Sequence, residues 1–171
     1  MAPSLLDVLA QEARTQMKIT DRLKVEHGVF LQQLRVLRRL VELKAPKPIL
    51  AAVVETIAAA EEQHSQIEEQ ALYPVLAKVL GPGASALVTV ATEHAGLRQG
   101  VARIRGGDFD VADVVAFADL LHDHLEREIH TLFALADEWL TEEQLVSMCN
   151  WNVEHVYDAA GQRAVWMRNF L

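Results

Sequence analysis

The chain is short of several things, and each shortage excludes something. Of its 171 residues one is a cysteine, Cys149, so no disulfide can close within it, and a buried, inert thiol is the expected state of that side chain. Aromatic residues make up 6% of a chain that is 51% hydrophobic. Alanine, leucine and valine are left to fill the interior, a composition for packed helices rather than sheets. Positive charge is scarce too. Sixteen basic residues stand against 24 acidic ones, for a net charge of −8, which argues against the basic face that nucleic acid requires. The apolar run Ile49 to Ala60 is interrupted by Glu55 and is too short to span a bilayer. The start, Met1 to Leu9, lacks the basic residues that open a secretory signal. The expectation is a soluble, cytoplasmic protein with no nucleic-acid or membrane partner. Residues 1–171 should form one domain with a sizeable core.

What is present is helical periodicity with clear punctuation. Ser4 to Thr15 reads as a short leading helix. From Thr20 to Leu43 the apolar residues Leu23, Phe30, Leu31, Leu34 and Val41 fall at helical spacing. Ala45-Pro-Lys-Pro48 ends that helix, because proline restricts the residue before it and has no N–H to donate. A second helix is expected from Ile49 to Leu80, with a turn at Gly81-Pro-Gly83. A third covers Ala84 to Arg105 and ends at Gly106-Gly107. Asp108 or Asp110 can cap a fourth that runs to Leu140. Thr141-Glu-Glu-Gln144 reads as a capping box opening a C-terminal helical extension, about 141–170. Four long amphipathic helices joined by short connections predict an all-α, up-down-up-down four-helix bundle over about 20–140.

Polar residues sit where such a bundle should be oily. His64 and Glu68 are one turn apart and leave the helix on one face. The pattern returns as His124 and Glu128, with Leu72 matched by Leu132, Tyr73 by Phe133, and Pro74 replaced by Ala134. His27 and His94 each lie in the apolar stripe of another helix. Antiparallel residues are level when equally far from their connecting turn. The midpoint of His27 and His64 falls between Ala45 and Pro46, that of Glu68 and His94 on Gly81, and that of His94 and His124 on Phe109. All three are turn positions, so the six side chains should share one height. Two buried carboxylates would each lose several kcal/mol or more of solvation, and would repel each other. A cation resolves the conflict. One zinc needs about four ligands and its structural sites favour cysteine. Two sets of two imidazoles and a carboxylate better suit a pair of first-row ions, with the glutamates bridging.

These residues resemble the hemerythrin-like, or HHE cation-binding, family. Its four-helix bundle carries an acidic-His pair followed by His-x-x-x-Glu-Glu-x-x-Leu-Phe/Tyr-Pro, twice. The chain has Glu26-His27, His64 through Pro74, Glu93-His94, and His124 through Ala134, and the likeness covers about Thr20 to Leu140. The resemblance implies that His27, His64, Glu68, His94, His124 and Glu128 ligate two non-haem iron ions, oxo- or hydroxo-bridged. Manganese and zinc are the alternative metals. It also implies a small diatomic or peroxide ligand and a role in sensing, detoxification or iron handling, as an enzyme or as a binding protein. The four-His, two-Glu set is similar to that of di-iron proteins of iron–sulfur-cluster repair, whose cysteine-bearing N-terminal domain is not expected here. Oxygen-carrying hemerythrins have a histidine where this chain has Arg98 and an aspartate where it has Ile129, which turns the reading away from oxygen transport. A metal-free structural bundle is the rival class.

Other polar residues rank lower. His122 lies about 200° round the helix from His124, and His130 about 200° from Glu128, where it pairs with Glu126. His155, in a Val-Glu-His echo of Val25-Glu26-His27, is expected at the surface or as a cap. Glu61 and Glu69 flank the central stripe as second-tier or extra ligands. Glu26 and Glu93 are candidates to orient neighbouring histidines. The Tyr73 hydroxyl is a candidate donor to a bound species. Trp139, Trp151 and Trp166 should pack the C-terminal extension on the bundle, any exposed remainder marking a homodimer surface.

Overall fold

The structure is a computed structural model. It describes residues 16–81 and 83–159, with side chains as far as Asn150. The leading helix expected at Ser4 to Thr15, the side chains of Trp151 and His155, and Trp166 lie outside the described residues. No strand occurs among the described residues. The helices are α1 (Ile19–Glu42), α2 (Lys47–Ile67), α3 (Tyr73–Leu80), α4 (Ser85–Arg105), α5 (Val111–His130), α6 (Leu132–Trp139) and α7 (Glu142–Ala159). The all-helical class read from the sequence is therefore found.

Local chemistry sets the boundaries. Pro46 stands at the N-cap of α2 and Pro48 in its first turn, where a missing N–H costs nothing. Gly81 closes α3 at φ +90°, a conformation that a side chain disfavours. Asp110 opens α5 with a reciprocal capping box to Asp113, and Thr141 and Gln144 form the expected box before α7. Two long helices expected as continuous are each interrupted. A π turn, Glu68–Leu72, links α2 to α3, and Thr131, with φ −122° and ψ −77°, links α5 to α6. Pro74 supplies a reason for the first: without an N–H it cannot continue the α ladder, and a widened turn upstream absorbs the mismatch. Alanine at 134 has no such defect, so the second break takes another form.

Contacts across the helices tie α4 to α2, α5 to α4 and α1 to α6. Arg105 meets Glu55, Arg98 meets Glu62, Arg127 meets Glu93, and Thr20 meets Asp137. Each helix buries one stripe. In α1 it is Ile19, Leu23, His27, Phe30, Leu34 and Leu37, and in α4 Leu87, Val90, His94, Leu97, Val101 and Ile104.

The buried apolar side chains fall into two clusters. One gathers Phe30, Leu34, Leu50, Val54, Leu97 and Phe117 with their neighbours. The other gathers Ile19, Leu23, Leu72, Val90, Leu132 and Phe133, with Leu145 and Cys149 of α7. In α1, α2 and α4 the histidine falls between residues of one cluster and those of the other, and in α5 His124 stands beside Leu125, the last residue that helix gives to the first cluster. Each large side chain so buried contributes roughly 1.5–3 kcal/mol, enough together to hold a polar layer in place between them. Trp139 is 54% exposed, contrary to its expected packing role: it is the last residue of α6, and the chain after it returns Leu140, Leu145 and Cys149 to the core instead.

Candidate metal centre

All six sequence-selected residues meet in that layer. His27, Glu68 and Glu128 are fully buried, and His64, His94 and His124 are no more than 2% exposed. Two groups form. In the first, His27, His64, Glu68 and Glu128 offer one atom each, all within 4.8 Å of one another; in the second, Glu68, His94, His124 and Glu128 do the same. The two glutamates belong to both groups.

The imidazoles present Nε2 inward. Nε2 of His27 lies 2.9 Å from Nε2 of His64, and Nε2 of His94 lies 3.1 Å from that of His124. Glu68 places Oε1 3.0 Å from His64 Nε2 and Oε2 3.5 Å from His94 Nε2. Glu128 Oε2 is 3.2 Å from His124 Nε2 and 3.4 Å from His27 Nε2. Each carboxylate therefore spans both imidazole pairs. Glu68 Oε1 and Glu128 Oε2 are buried without a hydrogen-bond partner. Orphaned carboxylate oxygens among converging imidazole nitrogens are costly unless something cationic completes them, and the donor set is one that a first-row ion accepts.

Without metal, protons take that role. Burial works against charge on His64, but Glu68 and Glu26 outweigh it and raise its pKa to about 10. Burial likewise opposes charge on His124, and Glu128 and Glu68, with a hydrogen bond to Glu93, raise it to about 9. Burial and the like charge of Glu128 oppose ionisation of Glu68, yet His64 and His94 hold its pKa below the ordinary value. Glu128 is held well below it against burial by His124 and His27.

The outward nitrogens carry a second tier. His64 Nδ1 donates to Glu26 at 2.7 Å, His94 Nδ1 to Glu69 at 2.8 Å, and His124 Nδ1 to Glu93 at 3.1 Å. Glu26 and Glu93 orient histidines as anticipated, though on the neighbouring helix rather than the adjacent residue. Glu69 is an orienting group, and only Glu68 of that pair faces the centre. Behind each carboxylate stands an arginine: Arg22 on Glu26, Arg98 on Glu69, and Arg127 on Glu93. These arginines were not foreseen. The levelling arithmetic could have found one, since Arg127 and Glu93 share a midpoint at 110, beside the Phe109 of His94 and His124.

The π turn aims Tyr73. Its N–H bonds the Glu68 carbonyl five residues back, and the extra residue carries the ring round to the centre. The hydroxyl lies 3.1 Å from Glu68 Oε2 and in short contact with Glu128 Oε1. Burial, Glu68 and Glu128 all push its pKa well up, so the phenol keeps its proton and donates it. The matching ring, Phe133, packs 5.1 Å from His27.

The lower-ranked residues separate cleanly. Glu61 is buried, and burial lifts its carboxyl above the usual range despite the imidazoles of His94, His124 and His64; it joins neither group. His122 contacts Asp123 at the surface, and His130 is 73% exposed beside Glu126. Burial pushes the Cys149 thiol up, which suits an inert thiol. The surface depression lined by Leu37, Val41, Val114 and Ala118 shares no residue with the centre. No described helix is long and apolar enough to cross a membrane.

Residues 18–136 match the family model of the hemerythrin HHE cation binding domain. Neither curated proteins nor solved structures gave a match. The matched stretch contains all six converging residues and most of the chain, and the chain belongs to the hemerythrin HHE cation-binding family.

Proposed function

We propose that this chain is an up-down-up-down helical bundle that holds two iron ions and reacts with, or senses, a small ligand such as O₂, peroxide or nitric oxide. One observation carries the reading: two buried His/Glu groups share both of their glutamates, as two adjacent ions with common bridging carboxylates require. His27 and His64 would hold one ion, and His94 and His124 the other, with Glu68 and Glu128 spanning them. Four imidazoles lean toward iron over manganese or magnesium. When bound, the pair supplies one-electron redox chemistry and open coordination positions.

The chain's own residues define the rest. The burial of the centre admits only small, weakly solvated molecules. Tyr73 offers one proton at its hydroxyl oxygen toward the carboxylates, and burial raises the Glu61 carboxyl above the usual range against the imidazoles of His94 and His124. The three Arg–Glu–His chains fix imidazole orientation and keep Nδ1 protonated, so that Nε2 is the atom free to ligate. The net charge of −8 fits a cytoplasmic setting away from nucleic acid. Exposed Trp139, at the base of the C-terminal extension, fits a homodimer through that segment.

Metal analysis of anaerobically purified protein, with absorption spectra before and after air, tests the reading. Two irons per chain and a new charge-transfer band on oxidation are expected. A chain that comes from cells empty, refuses iron on reconstitution, and melts unchanged with it is a structural bundle instead.

A further inference from the structure

The two halves of the centre are not equally supported. Three of its four histidines pass Nδ1–H to a carboxylate that is itself held by an arginine. The fourth does not. His27 is completely buried, and its Nδ1 has no hydrogen-bond partner. The repeat identifies what is missing. Glu69 directly follows the inward Glu68 and accepts from His94; the residue that directly follows the inward Glu128 is Ile129. Ile129 is half-buried against the apolar cluster of Ile19, Leu23 and Phe133. The position equivalent to Glu69 is thus occupied by a side chain that can accept nothing.

The chemistry of that absence is directional. A carboxylate on Nδ1–H raises the basicity of Nε2 and fixes the ring for a metal, and losing such a partner typically weakens metal binding about 10–100-fold. In the His94/His124 half both imidazoles have this help, from Glu69 and Glu93. In the His27/His64 half only His64 does, from Glu26. The shared glutamates cannot restore equality, since both serve both halves.

We infer that the two metal positions are unequal, with the ion between His27 and His64 the weaker and more exchangeable one because Ile129 leaves His27 unsupported. This rests on the two-metal reading and adds an order of loading: the His94/His124 position fills first and empties last.

Anaerobic titration of metal-free protein with Fe(II), and with Co(II) against a chromophoric chelator, reads both affinities directly. Two steps separated by about 10–100-fold are expected. His27→Ala should delete the weaker step and leave the tighter one. Glu69→Ala should weaken the tighter step and narrow the gap from above. Ile129→Glu should strengthen the weaker step and narrow it from below; if that variant fails to fold, Glu69→Ala decides alone. Two ions taken up with one affinity, or a gap that Glu69→Ala leaves unchanged, overturns the inference while the two-metal reading stands. No uptake of either metal overturns the two-metal reading itself.

Discussion

The half of the centre built on His27 and His64 and the half built on His94 and His124 come from one repeated pattern, yet the residues behind the imidazoles repeat only in part: Glu26 is matched by Glu93, while Glu69 is matched by Ile129. Each half has two histidines and a glutamate one turn after the second. Behind them, the later half has Glu69 and Glu93 on its imidazoles, where the earlier half has Glu26 alone. Tyr73 stacks near His94 and reaches the carboxylates, while its counterpart Phe133 packs on His27 and offers no polar atom. The lesson is that repetition fixes which atoms converge, and departures from it set how strongly each half holds what it binds.

The largest effect should come from removing what the halves share. Glu68→Ala takes a carboxylate oxygen from both groups, so iron content should fall from two per chain to one or fewer, measured by elemental analysis. A substitution within one half, such as His124→Ala, should leave the other half's ion in place. If Glu68→Ala keeps two irons, the halves do not share a bridge. Stripping metal from the intact protein comes next. An ion present at about 1,000 times its Kd stabilises the folded chain by roughly 4 kcal/mol, and each kcal/mol shifts Tm by about 2–4 °C at this size. Chelation should therefore lower Tm by roughly 8–16 °C for each ion so held, followed by circular dichroism; an unchanged Tm would mean that protons alone satisfy the site.

Much of this was legible in the sequence, and the reason is physical. A histidine in an apolar stripe is conspicuous because buried polar groups are costly, and turn positions fix which residues are level. His27, His64, His94 and His124 could be placed at one height from turn midpoints alone. The π turn after Glu68 was not legible, since Pro74 is compatible with an uninterrupted reading of the second helix until the i−5 hydrogen bond of Tyr73 is seen. The partners of Glu26 and Glu93 were also out of reach. A helical repeat specifies the face of a side chain, but whether a glutamate at its edge turns to its neighbour in sequence or to the next helix depends on interhelical distance. Trp139 misled for a related reason: aromatic content argues for packing on average, while the break at the end of α6 leaves this ring outside.

Metal-free protein offers a third comparison of the halves, through pH. His64 carries a pKa of about 10 and His124 of about 9, each raised from 6.5. A group whose folded pKa is raised adds stability that is complete below its unfolded value and is lost as pH climbs through the folded one. One such histidine lies in each half. The Tm of metal-free protein should accordingly fall steadily between about pH 7 and pH 10. Iron-loaded protein, whose imidazoles are already deprotonated for binding, should lack that slope. Equal slopes with and without metal would show that these histidines do not ligate.

The smallest effect, and the sharpest on the aromatic difference, belongs to Tyr73→Phe. This substitution gives both halves the same ring, since Phe133 already occupies the matching place. It keeps the stacking near His94 and removes only a hydroxyl that donates into the pair of carboxylates. A hydrogen bond to a charged group contributes about 1.5–3 kcal/mol, so metal-free protein should lose that much in chemical denaturation. The loss should shrink once metal is bound, because cations then satisfy the oxygens that the phenol had served. A loss of equal size in both states would place the hydroxyl's role in packing α3 rather than in neutralising Glu68 and Glu128. The sign of that difference is what ties the π turn to the chemistry of the centre: the turn delivers a hydroxyl that reaches both shared glutamates, and the matching ring, Phe133, delivers none.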